Sequence, residues 1–179
     1  MGNLLMTPDQ IRMGIRLTDK TWKNDINTNC YAFALGLDIS EWDIAPNAYQ
    51  PGMMFSIMFN KPYDEVKKMS FEERLLLDLK VLKIKCKESD PSEFTGYNAE
   101  NDTIQWVISM FESEEREDVH FLRKNDKGIW WHKHGYIFSS PTNKDHYRKI
   151  ITDPRDCFLG SYEYKKTYKL SINRDTKKY

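Results

Sequence analysis

The 179-residue chain has no apolar run near the roughly 20 residues that a membrane-spanning helix needs, so no such helix is expected. It has no excess of charge of either sign. Lys+Arg and Asp+Glu stand at 27 each, so no overall field draws the chain to nucleic acid or to an anionic membrane, and only a local patch could. It has few cysteines. Cys30, Cys86 and Cys157 are odd in number and far apart, which argues against a secreted disulfide scaffold and fits a reducing cytoplasm. The start, Met1 to Met6, has neither a basic n-region nor an apolar h-region, so no signal peptide is expected. There is no internal repeat and no low-complexity segment. What remains is one domain over residues 1–179, long enough to bury a real core.

Taken in order, Thr7-Pro8-Asp9-Gln10 reads as a helix start, with Ile11 and Ile15 on one face up to about Leu17. Residues 1–20 thus form an N-terminal helical extension. Thr18 to Asn29 is a polar loop. Cys30 to Leu37 is apolar, with caps before it and small alanines within it, and reads as a buried helix. Ser40 to Gly52 reads as an ordered loop. Met53 to Phe59 is apolar throughout, and periodicity does not decide between strand and helix. Ser70-Phe71-Glu72-Glu73 is a capping box, and a helix is predicted from Phe71 to about Leu79, then a strand over Val81 to Cys86. Glu88 to Asp102 reads as a loop. Strands are predicted at Thr103–Phe111, Asp118–Lys124 and Ile129–His134, the last two joined by an Asn125–Gly128 hairpin turn. Ser140 to Cys157 reads as a long surface loop, Tyr162 to Ile172 as a closing strand, and Asn173 to Tyr179 as a frayed tail.

Two stretches carry chemistry. Asn27-Thr28-Asn29-Cys30 puts a thiol at the first turn of a helix. A thiol attacks as thiolate; its free pKa of about 8.5 falls by several units beside a helix N-terminus and an imidazole. Cys30 is therefore expected to have a depressed pKa. Its backbone N–H, with Asn29 or Asn27, could hold an oxyanion. The base must come from the second stretch. Residues two apart on a strand share a face, so His120 on one strand and His132 and His134 on the next can all occupy one face of the hairpin. If Asn125 lies opposite Ile129, His120 is opposite His134 and diagonal to His132; a slip of two puts His132 directly opposite. Blander readings stand beside this one. A lone apolar-flanked cysteine is usually a small buried hydrophobe, and Trp106, Trp130 and Trp131 suit a core or a pocket wall. The same three histidines could instead hold zinc with an open fourth position. A non-catalytic binding module keeping the fold is the third reading.

These residues also resemble a known group. Asn29-Cys30-Tyr31-Ala32-Phe33-Ala34-Leu35 is similar to the Asn-Cys-Tyr-Ala-Tyr-Ala-Leu motif of small phage and bacterial proteins in the papain-like, NlpC/P60-related superfamily. Tyr49-Gln50-Pro51-Gly52 resembles their Gln-Pro-Gly element. His120-Phe121-Leu122-Arg123 and Gly128-Ile129-Trp130-Trp131-His132-Lys133-His134-Gly135 resemble their paired histidine stretches, and Asp153-Pro154 and Gly160 their closing part. The likeness runs from Trp22 to Tyr162. It implies a papain-like α+β fold, with a nucleophile helix packed on an antiparallel sheet. It further implies a cysteine hydrolase or acyltransferase acting on a peptide or amide bond, cell-wall peptides among the candidates. By that analogy Cys30 is nucleophile, His120 base and His132 the orienting third group; His134 stands where proline is frequent and competes for the third role. No metal or organic cofactor is required. The expected location is cytoplasmic, in the host cell if the chain is phage-borne.

Overall fold

The computed structural model describes residues 29–37, 49–133, 147–150 and 153–173, with backbone alone at 132–133 and 147–150. The expected N-terminal helix, most of the two early loops and residues 174–179 of the tail lie outside these. The described chain is α+β. Four helices, α1 (Cys30–Leu35), α2 (Met53–Met58), α3 (Tyr63–Val66) and α4 (Phe71–Val81), precede seven strands. The strands are β1 (Lys85–Glu88), β2 (Gly96–Asn98), β3 (Thr103–Ser113), β4 (Asp118–Lys124), β5 (Trp130–Lys133), β6 (Tyr147–Ile150) and β7 (Glu163–Asn173). They form one antiparallel sheet in the order β1-β7-β3-β4-β5-β6, with β2 also on β3.

Strand alternation sorts the sheet into two faces. Ile104, Trp106, Ile108 and Met110 of β3 share the first face with Val119 and Phe121 of β4 and with Tyr168, Leu170 and Ile172 of β7. α1, α2 and α4 cover it, and this is the main core. Val107, Phe111, Leu122 and Trp130 share the second face, covered by Cys157, Leu159, Tyr162 and Tyr164. Because β3 is covered on both sides, its residues are buried almost without a break.

The helix ends follow from local chemistry. Ser70 and Glu73 close a capping box at the start of α4. α4 ends later than the periodicity suggests. Val81 stays helical and Leu82 is its buried cap. Lys83 takes a left-handed φ of 54, its N–H bonds to the Lys80 carbonyl, and the Ile84 N–H bonds to the Leu79 carbonyl. The strand predicted from Val81 therefore starts only at Lys85. α1 closes in the same way: Gly36 has φ 74, and Gly36 and Leu37 donate to Phe33 and Ala32. The undecided Met53–Phe59 stretch is helical. Two segments read as loop contain strands: β2 within Glu88–Asp102, and β6 within Ser140–Cys157. The hairpin turn has the first of the two registers considered. Asn125 and Ile129 face each other (N–O 2.8 Å), Gly128 has φ 77, and Asn125 Oδ1 accepts from the Lys127 and Ile129 N–H groups. No described helix is long and apolar enough to cross a membrane.

Candidate active site

Asn29 sets the start of α1. Its Oδ1 accepts from the Ala32 N–H at 2.9 Å, and its amide nitrogen donates to the Tyr49 carbonyl. Both arms of the side chain thus serve the cap and the Tyr49 link. The far end of α1 is held as firmly. Trp106 Nε1 donates to the Ala34 carbonyl (3.0 Å), and the buried Arg123 guanidinium donates to the Phe33 carbonyl (3.1 Å). Ala32 and Ala34 let the helix lie close to β4 and β5.

Cys30 is half-buried against the main core. Backbone N–H groups of Phe121, Tyr31 and Cys30 itself favour charge on its sulfur. Burial nonetheless dominates and, with the Asp118 carboxylate adding to it, pushes the thiol up to about 12. The depressed pKa expected from sequence is corrected here: the N–H donors lower it, but less than desolvation raises it.

The sulfur meets β4 at the nitrogen that joins His120 to Phe121. Phe121 points toward α1. His120 alternates to the other face, opposite Phe111, with its ring 5.9 Å from that of Tyr162. Thus thiol and imidazole meet the same stretch of β4, but the described ring lies on the face away from the helix. His132 pairs with Leu122, which makes it diagonal to His120 in the same row. His134 lies outside the described residues. Among the described residues no three His, Cys, Asp or Glu side chains cluster as metal ligands. Trp106 and Trp130 are buried, and Trp131 packs on Phe33 of α1, as core and wall residues should.

Sequence reasoning missed two groups. Asp118 shares the row of His120 and accepts from the Tyr162 hydroxyl (2.7 Å); its place two residues before His120 was the available signal. Asp78 lies fully buried under α1. It accepts from the Tyr31 hydroxyl (2.6 Å) and from the Gly52 and Phe55 N–H groups (2.8 and 2.9 Å). Burial pushes its carboxyl up to about 7, against the pull of those donors and of Arg74. The signal for it was an acid set within the apolar stripe of Leu75 and Leu79. Comparison with known proteins finds no matching family model, no matching curated protein and no matching solved structure.

Proposed function

We propose that this chain is a cysteine-dependent hydrolase or acyltransferase, on a papain-like fold, acting on a peptide or amide bond. The observation that supports this is the placement of Cys30 at the Asn29-capped first turn of α1, packed on β4, where backbone N–H groups of both elements favour charge on its sulfur. Such donors stabilise charge on sulfur before attack and on the substrate oxygen after it. Cys30 is the nucleophile, His120 the base and His132 the third group, with His134 the alternative. At rest, burial keeps the thiol protonated. For the reaction the His120 imidazole must leave the face on which it rests and take the thiol proton as sulfur attacks the carbonyl carbon. His120 then gives that proton to the leaving amine, and water, or another acceptor, releases the acyl group from sulfur. Incubation with a mixture of peptides and mass-spectrometric analysis tests this. Wild type is expected to yield cleaved or acyl-transferred products, and Cys30→Ala none.

A second reading has its own observation. The raised thiol and the far-side placement of His120 fit a non-catalytic binding module that keeps the fold. In that case neither protein yields products, and Cys30→Ala retains every binding property of wild type.

A further inference from the structure

The Tyr49-Gln50-Pro51-Gly52 element has no part in the chemistry above, yet it is bound tightly to the Cys30 helix. Asn29 donates to the Tyr49 carbonyl, and the Tyr31 and Tyr49 rings stack at 5.1 Å. The third link is Asp78. Its Oδ2 accepts from both the Tyr31 hydroxyl and the Gly52 N–H, while Oδ1 accepts from Phe55 at the start of α2. Tyr31 follows Cys30, and its own N–H is one of the donors at the sulfur. A buried carboxylate is a costly way to join two helices, since apolar packing commonly does as well or better. What a carboxylate adds is direction: two oxygens fix three donors, one from α1 and two from the start of α2.

We propose that Asp78 is a positioning residue for Cys30, locking the Tyr31 backbone to the Gln50-Pro51-Gly52 turn and so setting the N–H groups around the sulfur. This rests on the reading of Cys30 as nucleophile. Two variants test it. Tyr31→Phe removes only the hydroxyl and keeps the ring against Tyr49 and Phe121. Asp78→Asn keeps the volume and one acceptor. In each, alkylation of Cys30, Cys86 and Cys157 by iodoacetamide is timed by mass spectrometry, alongside acetylation of Cys30 by p-nitrophenyl acetate.

Releasing one hydrogen bond to a charged group should open the first turn and speed Cys30 alkylation by roughly tenfold, with Cys86 and Cys157 unchanged. Acetylation of Cys30 should slow by a similar factor, and the double variant should be no worse than either single one. If all three cysteines speed up together, or none does, Asp78 serves stability alone and the proposal is overturned. If wild-type Cys30 is never acetylated, the nucleophile reading fails, while the alkylation ratios still decide whether Asp78 positions the residue.

Discussion

Each of the three thiols has a different environment, and burial is the leading influence on all of them. It pushes Cys30 and Cys86 up to about 12, and raises the less buried Cys157 as well. A thiol near 12 is thiolate in roughly one molecule in 30,000 at pH 7.5, against about one in ten for an ordinary cysteine. Iodoacetamide at that pH should therefore modify Cys157 first, with Cys30 and Cys86 following slowly. Peptide mapping of a time course reads the order. Cys30 labelling first would mean that an imidazole already holds it as thiolate in the resting protein, contrary to the stored-thiol step proposed here. Sequence pattern located the thiol at a helix start and His120 and His132 at register positions of one face. It did not reveal which row faces α1, because that depends on how the helix docks on β4. Desolvation of Cys30 was hidden for the same reason.

At the scale of elements, the turn before α2 depends on Gly52. Its φ is 91, and a Cβ there would stand 2.5 Å from Val66 Cγ1 and 3.2 Å from Arg74 Cγ. Gly52→Ala thus meets both backbone strain and overpacking, and should lose about 2–4 kcal/mol. Gly160 is the natural control: φ is 65 with nothing within 4 Å of the added carbon. Gly160→Ala should lose only about 1 kcal/mol. Urea denaturation measures both, and equal losses would refute the close contact at Gly52. Local signals were legible wherever chemistry was local. The Ser70–Glu73 capping box and the Asn125–Gly128 turn behave as their residues dictate. The end of α4 was not legible, because Val81-Leu82 followed by lysines alternates like a strand while finishing a helix. β2 and β6 are short and largely polar, Gly96-Tyr97-Asn98 and Tyr147-Arg148-Lys149-Ile150. Their strand conformation comes from the neighbours they pair with.

Across the whole molecule, Asp78 ties α1, α2 and α4 into the core and links stability to pH. A carboxyl raised in the folded state to about 7 holds its proton there more tightly than in the unfolded chain. Its contribution is therefore greatest at low pH and is lost as pH rises from about 4 to about 7, by at most about 4 kcal/mol. The neighbouring Tyr31, Tyr49 and Tyr63 hydroxyls are all raised by burial and stay neutral over that range. Denaturant midpoints at pH 5 and pH 8 should show wild type weaker at pH 8, with the difference reduced in Asp78→Asn. An identical pH dependence in both would mean that the three donors keep Asp78 ionised throughout.

The most direct test of Cys30 as nucleophile is the mass of its peptide after brief exposure of the protein to p-nitrophenyl acetate at pH 7.5, in wild type and in His120→Ala. A hydroxylamine-sensitive thioester on Cys30 is expected in wild type, forming roughly a hundredfold more slowly in His120→Ala. No adduct on Cys30, or one that forms equally fast without the imidazole, would contradict that role.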